Sequence, residues 1–126
     1  MTARPSTAEV FLRSLGRLGV DYLFGNAGTD AAPLIEAYAR CRSDRDAAVP
    51  SPILATHENL ALSMAHGYAM VSGRLPAAFV HVSVGTANAV CPIMNAAREN
   101  VPILLTAGRT PIYEDDRTGS RDSYIH

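Results

Sequence analysis

Pro52-Ile53-Leu54-Ala55-Thr56-His57-Glu58-Asn59-Leu60-Ala61-Leu62-Ser63-Met64-Ala65-His66-Gly67-Tyr68-Ala69 reads as a short apolar strand handing over to a helix. Thr56 is placed to cap that helix, and Glu58 falls in its first turn, where the macrodipole favours a carboxylate. Ala61, Ala65 and Ala69 recur every fourth residue, as do Leu60, Met64 and Tyr68. On a helix these rows are neighbours, which predicts one broad apolar face with a seam of small residues. A carboxylate leading such a helix lies at the edge where open α/β sheets hold ligands.

Working outward, the same alternation of strand and helix recurs on both sides. Upstream, Ser6 or Thr7 can cap a helix carrying Val10, Phe11, Leu12, Leu15 and Leu18, which Gly19 stops. Val20–Phe24 reads as a strand that breaks at Gly25-Asn26-Ala27-Gly28-Thr29-Asp30, a glycine-containing turn. Asp30 or Thr29 then opens a helix through about Arg40, with Leu34, Ile35 and Tyr38 inward, and Arg42 to Ser51 reads as a polar surface loop. Downstream, Ser72-Gly73-Arg74 is a turn and Pro76–Val82 a strand apolar enough to be covered on both faces. Gly85-Thr86-Ala87-Asn88 leads into a helix through about Arg98 with Val90, Ile93, Met94 and Ala97 inward, and Val101–Thr106 is a fourth strand. Strands alternating with helices predict parallel β/α units and a three-layer, doubly wound open sheet, an α/β fold. Residues 1–109 are expected to form its core. Residues 110–126, where charges cluster without periodicity, read as an irregular tail of the same, incomplete domain.

Composition narrows the function classes. The 126 residues suffice for one ordinary domain. Hydrophobic residues make up 48% and charged residues 18%, so a buried core is within reach. A formal charge of −1 argues against a phosphate-backbone binder, hence no nucleic-acid partner is expected. Cys41 and Cys91 stand apart, suggesting neither a disulfide framework nor a zinc knuckle. No stretch approaches a membrane span or a signal peptide, which leads to an expectation of a cytoplasmic protein.

The candidate chemistry sits at strand ends. Glu58 has a bland explanation in the helix macrodipole, which the pattern alone favours. His57-Glu58 opens like a metalloprotease motif, but Ala61 stands where the second histidine is needed and His66 is off the required face, so a zinc protease is rejected and no metal ligand is expected. The Gly25–Thr29 loop follows a strand and opens a helix as phosphate loops do, yet it carries neither the third glycine of the dinucleotide fingerprint nor a Gly-Lys-Ser/Thr ending. His81, near the carboxyl end of its strand, stays open between a satisfied core histidine and a site residue. Three strand-end loops and two ionisable groups converging on one edge is the strongest local argument for a site.

Four pieces together resemble the N-terminal, pyrimidine-binding domain of thiamine diphosphate-dependent 2-oxo acid enzymes, the superfamily of acetolactate synthase, pyruvate decarboxylase and benzoylformate decarboxylase. They are Gly19–Gly28, His57-Glu58 with Ala61, Ala65, Gly67, Tyr68 and Ala69, Gly85–Asn88, and Asn100–Gly108, in the family's order and spacing. One departure is Ala27, where a proline commonly precedes the second loop glycine. The resemblance implies that Glu58 hydrogen-bonds the cofactor's pyrimidine and activates it to its ylide, which attacks a 2-oxo acid. It implies that Gly25, Asn26, Ala27, Gly28 and Asn88 lie near the cofactor. His81-Val-Ser-Val-Gly-Thr-Ala-Asn88 is similar to benzoylformate decarboxylase, which implies proton transfer by His81 and a substrate-facing hydroxyl at Thr29. The segment after Gly108 lacks the paired histidines of the pyruvate decarboxylase type. Diphosphate and Mg2+ belong, by the same resemblance, to a separate domain, with the site shared between subunits of a homodimer or homotetramer. This chain is therefore expected to be a fragment of a longer enzyme, inactive alone. The rivals are a catalytically inactive structural or split subunit of such an oligomer and a free-standing nucleotide-binding module.

Overall fold

The structure, a computed structural model, describes residues 4–43 and 48–109; the tail expected over 110–126 lies outside the described residues. Helix α1 (Thr7–Arg17) begins at Ser6, whose hydroxyl accepts the Glu9 N–H while the Glu9 carboxylate accepts the Ser6 N–H. This reciprocal cap satisfies two donors that the first turn would otherwise leave bare. Strand β1 (Tyr22–Gly25) leads through a 3-10 turn at Thr29–Ala31 into α2 (Ala32–Ser43). Then come β2 (Ser51–Leu54), α3 (Glu58–Ser72), β3 (Ala77–Val80), α4 (Val82–Asn88), α5 (Val90–Arg98) and β4 (Leu104–Ala107). Gly73 closes α3 at φ 67°, a left-handed angle open to glycine at no side-chain cost.

All strand pairs are parallel, in the order β2-β1-β3-β4. Strand alternation sorts the core into two layers. Leu23 and Ala77 point to one face and pack with Leu12, Leu15 and Ala37 of α1 and α2. On the other face Phe24 packs with Ala61 and Ala65 of α3, while Ala78 and Val80 pack with Leu62 and Ala89. Helices on both faces make the three-layer α/β sheet that alternation predicts. Leu12 and Leu62 have at most 1% of their surface exposed, and burying each contributes about 1.5–3 kcal/mol. At the β2 edge, the Ser51 and Ala55 N–H groups donate to β1 at Asp21 O and Gly25 O. By the same alternation Pro52 occupies an outward-facing donor position, where its missing N–H costs nothing.

Several local expectations change. His57, not Thr56, caps α3: its Nδ1 accepts the Asn59 N–H at 3.1 Å. Gly85–Asn88 is not a loop but the last half of α4, in which the Thr86 hydroxyl bonds Val82 O. The inner row of α5 is Pro92 and Ala96 with half-buried Ile93, whereas Val90 and Met94 are about half exposed. The helix starts two residues after α4 ends, which rotates its face away from the expected one. In α2 the buried positions are Ala37 and Cys41, and Ile35 is exposed. Pro50, read as part of a surface loop, is fully buried against the amino end of β2. In α3 the alanine row is buried as expected, but Leu60 and Met64 remain exposed.

Candidate functional site

The carboxyl ends of parallel strands collect their following loops at one edge. Glu58 enters that edge from the first turn of α3 and is only 3% exposed. Two amides reach it from different segments. Asn26, just after β1, donates to Oε1 at 3.1 Å, and Asn88, the last residue of α4, donates to Oε2 at 3.0 Å. A carboxylate only accepts, which fixes both amides with their NH2 groups toward it. Burial pushes the Glu58 pKa up. The hydrogen bonds from Asn88, its own backbone N–H and Asn26, with the neighbouring His57, outweigh that and hold it below the ordinary carboxylate value. No arginine pairs with it among the described residues. Gly85 makes this approach possible, because a Cβ there would lie 3.0 Å from Oε1 and 3.2 Å from the Glu58 Cγ and the Val80 carbonyl carbon.

A second cluster stands on the same two segments. His81 ends β3 and occupies the N-cap position of α4. Its Nδ1 lies 2.6 Å from Asp30 Oδ1, with the side chains 23% and 11% exposed. Gly28 lies against the imidazole so closely that a Cβ at that position would clash with its Nδ1, Cε1 and Cγ. Val82, directly after His81, has φ 38°, a left-handed angle that a β-branched residue rarely adopts.

Of the residues singled out from sequence, the structure joins Asn26, Glu58 and Asn88 by hydrogen bonds, and sets Gly28 against His81. Gly25 ends β1 against the Phe79 carbonyl. Ala27 and Thr29 are exposed, and Thr29 opens the 3-10 turn rather than joining either cluster. Ala27 and Gly25 border an apolar cleft of about 470 Å³ between α2 and the sheet, which Leu34, Tyr38 and Phe79 also line. Sequence reasoning missed Asp30, taken for a helix opener. Its presence in the loop facing the strand end of His81 was the available signal. Among the described residues no group of three or more His, Cys, Asp and Glu could hold a metal ion, and no helix is long and apolar enough to cross a membrane.

Comparison with known proteins places the chain in a family. The chain is 34% identical over 104 residues to the acetolactate synthase large subunit of Lactococcus lactis, covering 82% of this chain and 17% of that protein. It is 32% identical over 95 residues to the benzoylformate decarboxylase of Pseudomonas aeruginosa, covering 75% of this chain and 16% of that one. A solved structure of a thiamine diphosphate-dependent 4-hydroxybenzoylformate decarboxylase from Rhodococcus jostii superposes with a TM-score of 0.70 at 28% identity, over 85% of this chain and 19% of its own. The chain thus spans about a sixth of the length of the curated relatives it matches. Residues 5–124 match the model described as thiamine pyrophosphate enzyme, N-terminal TPP binding domain, and the chain belongs to that family.

Proposed function

We propose that this chain supplies the pyrimidine-binding half of the site in a thiamine diphosphate-dependent 2-oxo acid decarboxylase or lyase, or an acetolactate synthase-like enzyme. The observation that carries the reading is Glu58: a carboxylate 3% exposed, held by two neutral amides, without an arginine partner among the described residues. Such a group keeps a full negative charge at low solvation, which fits a ring nitrogen that carries or shares a proton. The slot at Gly85 keeps that carboxylate in place, and the residues present therefore fit the pyrimidine.

When bound, thiamine diphosphate supplies the nucleophilic carbon and the electron sink that a 2-oxo acid needs to part with carbon dioxide. The chain's own residues bind, orient and move protons. Glu58 would hydrogen-bond and share a proton with the ring nitrogen, while Asn26 and Asn88 fix the direction of its lone pairs. The Gly25–Gly28 backbone lies along the pyrimidine or the substrate, with Ala27 in place of a stiffer proline. His81 would carry a proton to or from the substrate, and the exposed Thr29 hydroxyl would serve the substrate carboxylate. Mg2+ and the diphosphate are assigned, by the family resemblance, to a separate domain. The complete protein in this reading is a cytoplasmic homodimer or homotetramer with its site shared between subunits.

Glu58→Gln in the complete enzyme tests the reading. Glutamine keeps the size and a hydrogen bond but cannot hold the proton, so cofactor-dependent turnover of 2-oxo acids is expected to fall by roughly 10²–10⁴-fold, the range for a positioned proton-transfer group. Unchanged turnover would remove the mechanism and favour an inactive structural or split subunit.

A further inference from the structure

We propose that Asp30 is a positioning residue for His81, holding the imidazole with its proton on Nδ1 so that Nε2 is the nitrogen left free for proton exchange. The assignment follows from the chemistry of the pair. An ionised carboxylate is acceptor-only, and Nδ1 lies 2.6 Å from Asp30 Oδ1, so the proton between them belongs to the ring. Oδ2 of Asp30 is buried with no hydrogen-bond partner among the described residues, so among them His81 is the group that the carboxylate bonds.

Three backbone features hold the geometry. Gly28 leaves room for the ring, and Gly108, just after β4, leaves room for the carboxylate: a Cβ at Gly108 would fall on Asp30 Oδ2. Val82 adopts its left-handed angle directly behind the histidine, and such a conformation persists only where its surroundings dictate it. Asp30 and Asn26 share one loop, while His81 and Asn88 stand at the two ends of α4. The pair is thus tied to the two segments that hold Glu58. An exposed ion pair would contribute little and would need no such frame.

The effect on turnover rests on the reading of His81 given above; the tautomer does not. The test is a long-range proton–nitrogen correlation spectrum of the histidine rings in the 15N-labelled chain near pH 8, with His81→Gln to assign the signal. Native His81 is expected to show a protonated Nδ1 and a bare Nε2, and Asp30→Asn to shift it toward the opposite tautomer. A native spectrum with the proton on Nε2 overturns the proposal even if the variant fails to fold, and so does an unchanged Asp30→Asn spectrum. In the complete enzyme, Asp30→Asn is expected to lower kcat roughly tenfold to a hundredfold with little change in KM, within the 10²–10⁴-fold available to a proton-transfer group. Adding it to His81→Gln is expected to cost nothing more, and a further loss would count against action through His81. If His81→Gln alone leaves turnover intact, the proton-transfer reading falls while the spectrum still decides the tautomer.

Discussion

Two carboxylates sit at opposite edges of this sheet and are held by opposite means. At the carboxyl edge Glu58 is gripped by neutral amides. At the amino edge, about 15 Å away along α3 at 1.5 Å per residue, Asp21 accepts the Tyr68 hydroxyl at 2.5 Å and pairs with Arg74 at 2.6 Å. Arg74 also donates to Gly19 O, tying the end of α3 to the start of β1. The Asp21 charge is neutralised inside the domain, and its network is complete. The Glu58 charge is oriented but not neutralised. The difference separates a carboxylate that fastens an element from one kept available for something outside the chain.

Gly85→Ala should break the comparison most sharply. The added Cβ meets Glu58 Oε1 at 3.0 Å and the Val80 carbonyl carbon at 3.2 Å, and neither can move far. Alanine gains about 1 kcal/mol in helix propensity, but overpacking costs about 1–3 kcal/mol. A lower urea midpoint and loss of turnover are expected; a variant as stable and active as the parent would show that the slot is not needed. Tyr68→Phe probes the other edge. It should lower the melting temperature and leave turnover alone, since it unfastens Asp21 and touches no site residue; a fall in turnover at full folding would erase the distinction between the edges.

Acid separates the two edges further. Glu58 has a folded pKa below its ordinary value, so its contribution to stability is present above about pH 4.5 and is lost as pH falls through the folded value. Glu58→Gln should therefore lose stability less steeply than the parent below that pH, in urea melts from pH 6 to pH 3. Some slope should remain, because Glu9 is held low in the same sense, first by the Ser6 N–H. Identical slopes would mean that the amides do not favour the charged form. The smallest effect is expected at Tyr38, whose hydroxyl is buried without a partner among the described residues. Burial raises its pKa to about 12, so the stability tied to its neutral form is present below pH 10 and lost as pH rises toward 12. Tyr38→Phe should melt at the same or a higher temperature near neutral pH and escape that alkaline loss; a clear drop in melting temperature would reveal a partner for the hydroxyl.

Much of the fold was legible because periodicity is a local property. The buried row Ala61, Ala65 and Ala69 can be read from spacing alone, and so can Glu58 at the head of its helix. Leu60 and Met64 look equally apolar in sequence, yet the described residues leave both exposed. Helix α4 was illegible for a related reason: Gly85, Thr86 and Asn88 have poor helix propensity, and tertiary packing of Gly85 against Val80 overrides it. The Asp30–His81 pair joins residues 51 positions apart. An acidic residue opening a helix is a common local sight, so nothing local marked it as a partner.

Pro52 has a consequence for how the sheet meets other strands. On the outer rim of β2 only the Leu54 N–H remains to recruit a neighbour. The β4 rim, where Leu104 and Gly108 donate inward, turns both Leu105 and Ala107 outward. Among the described residues the two rims thus differ: β2 resists stray edge-to-edge association, whereas β4 presents more outward donors.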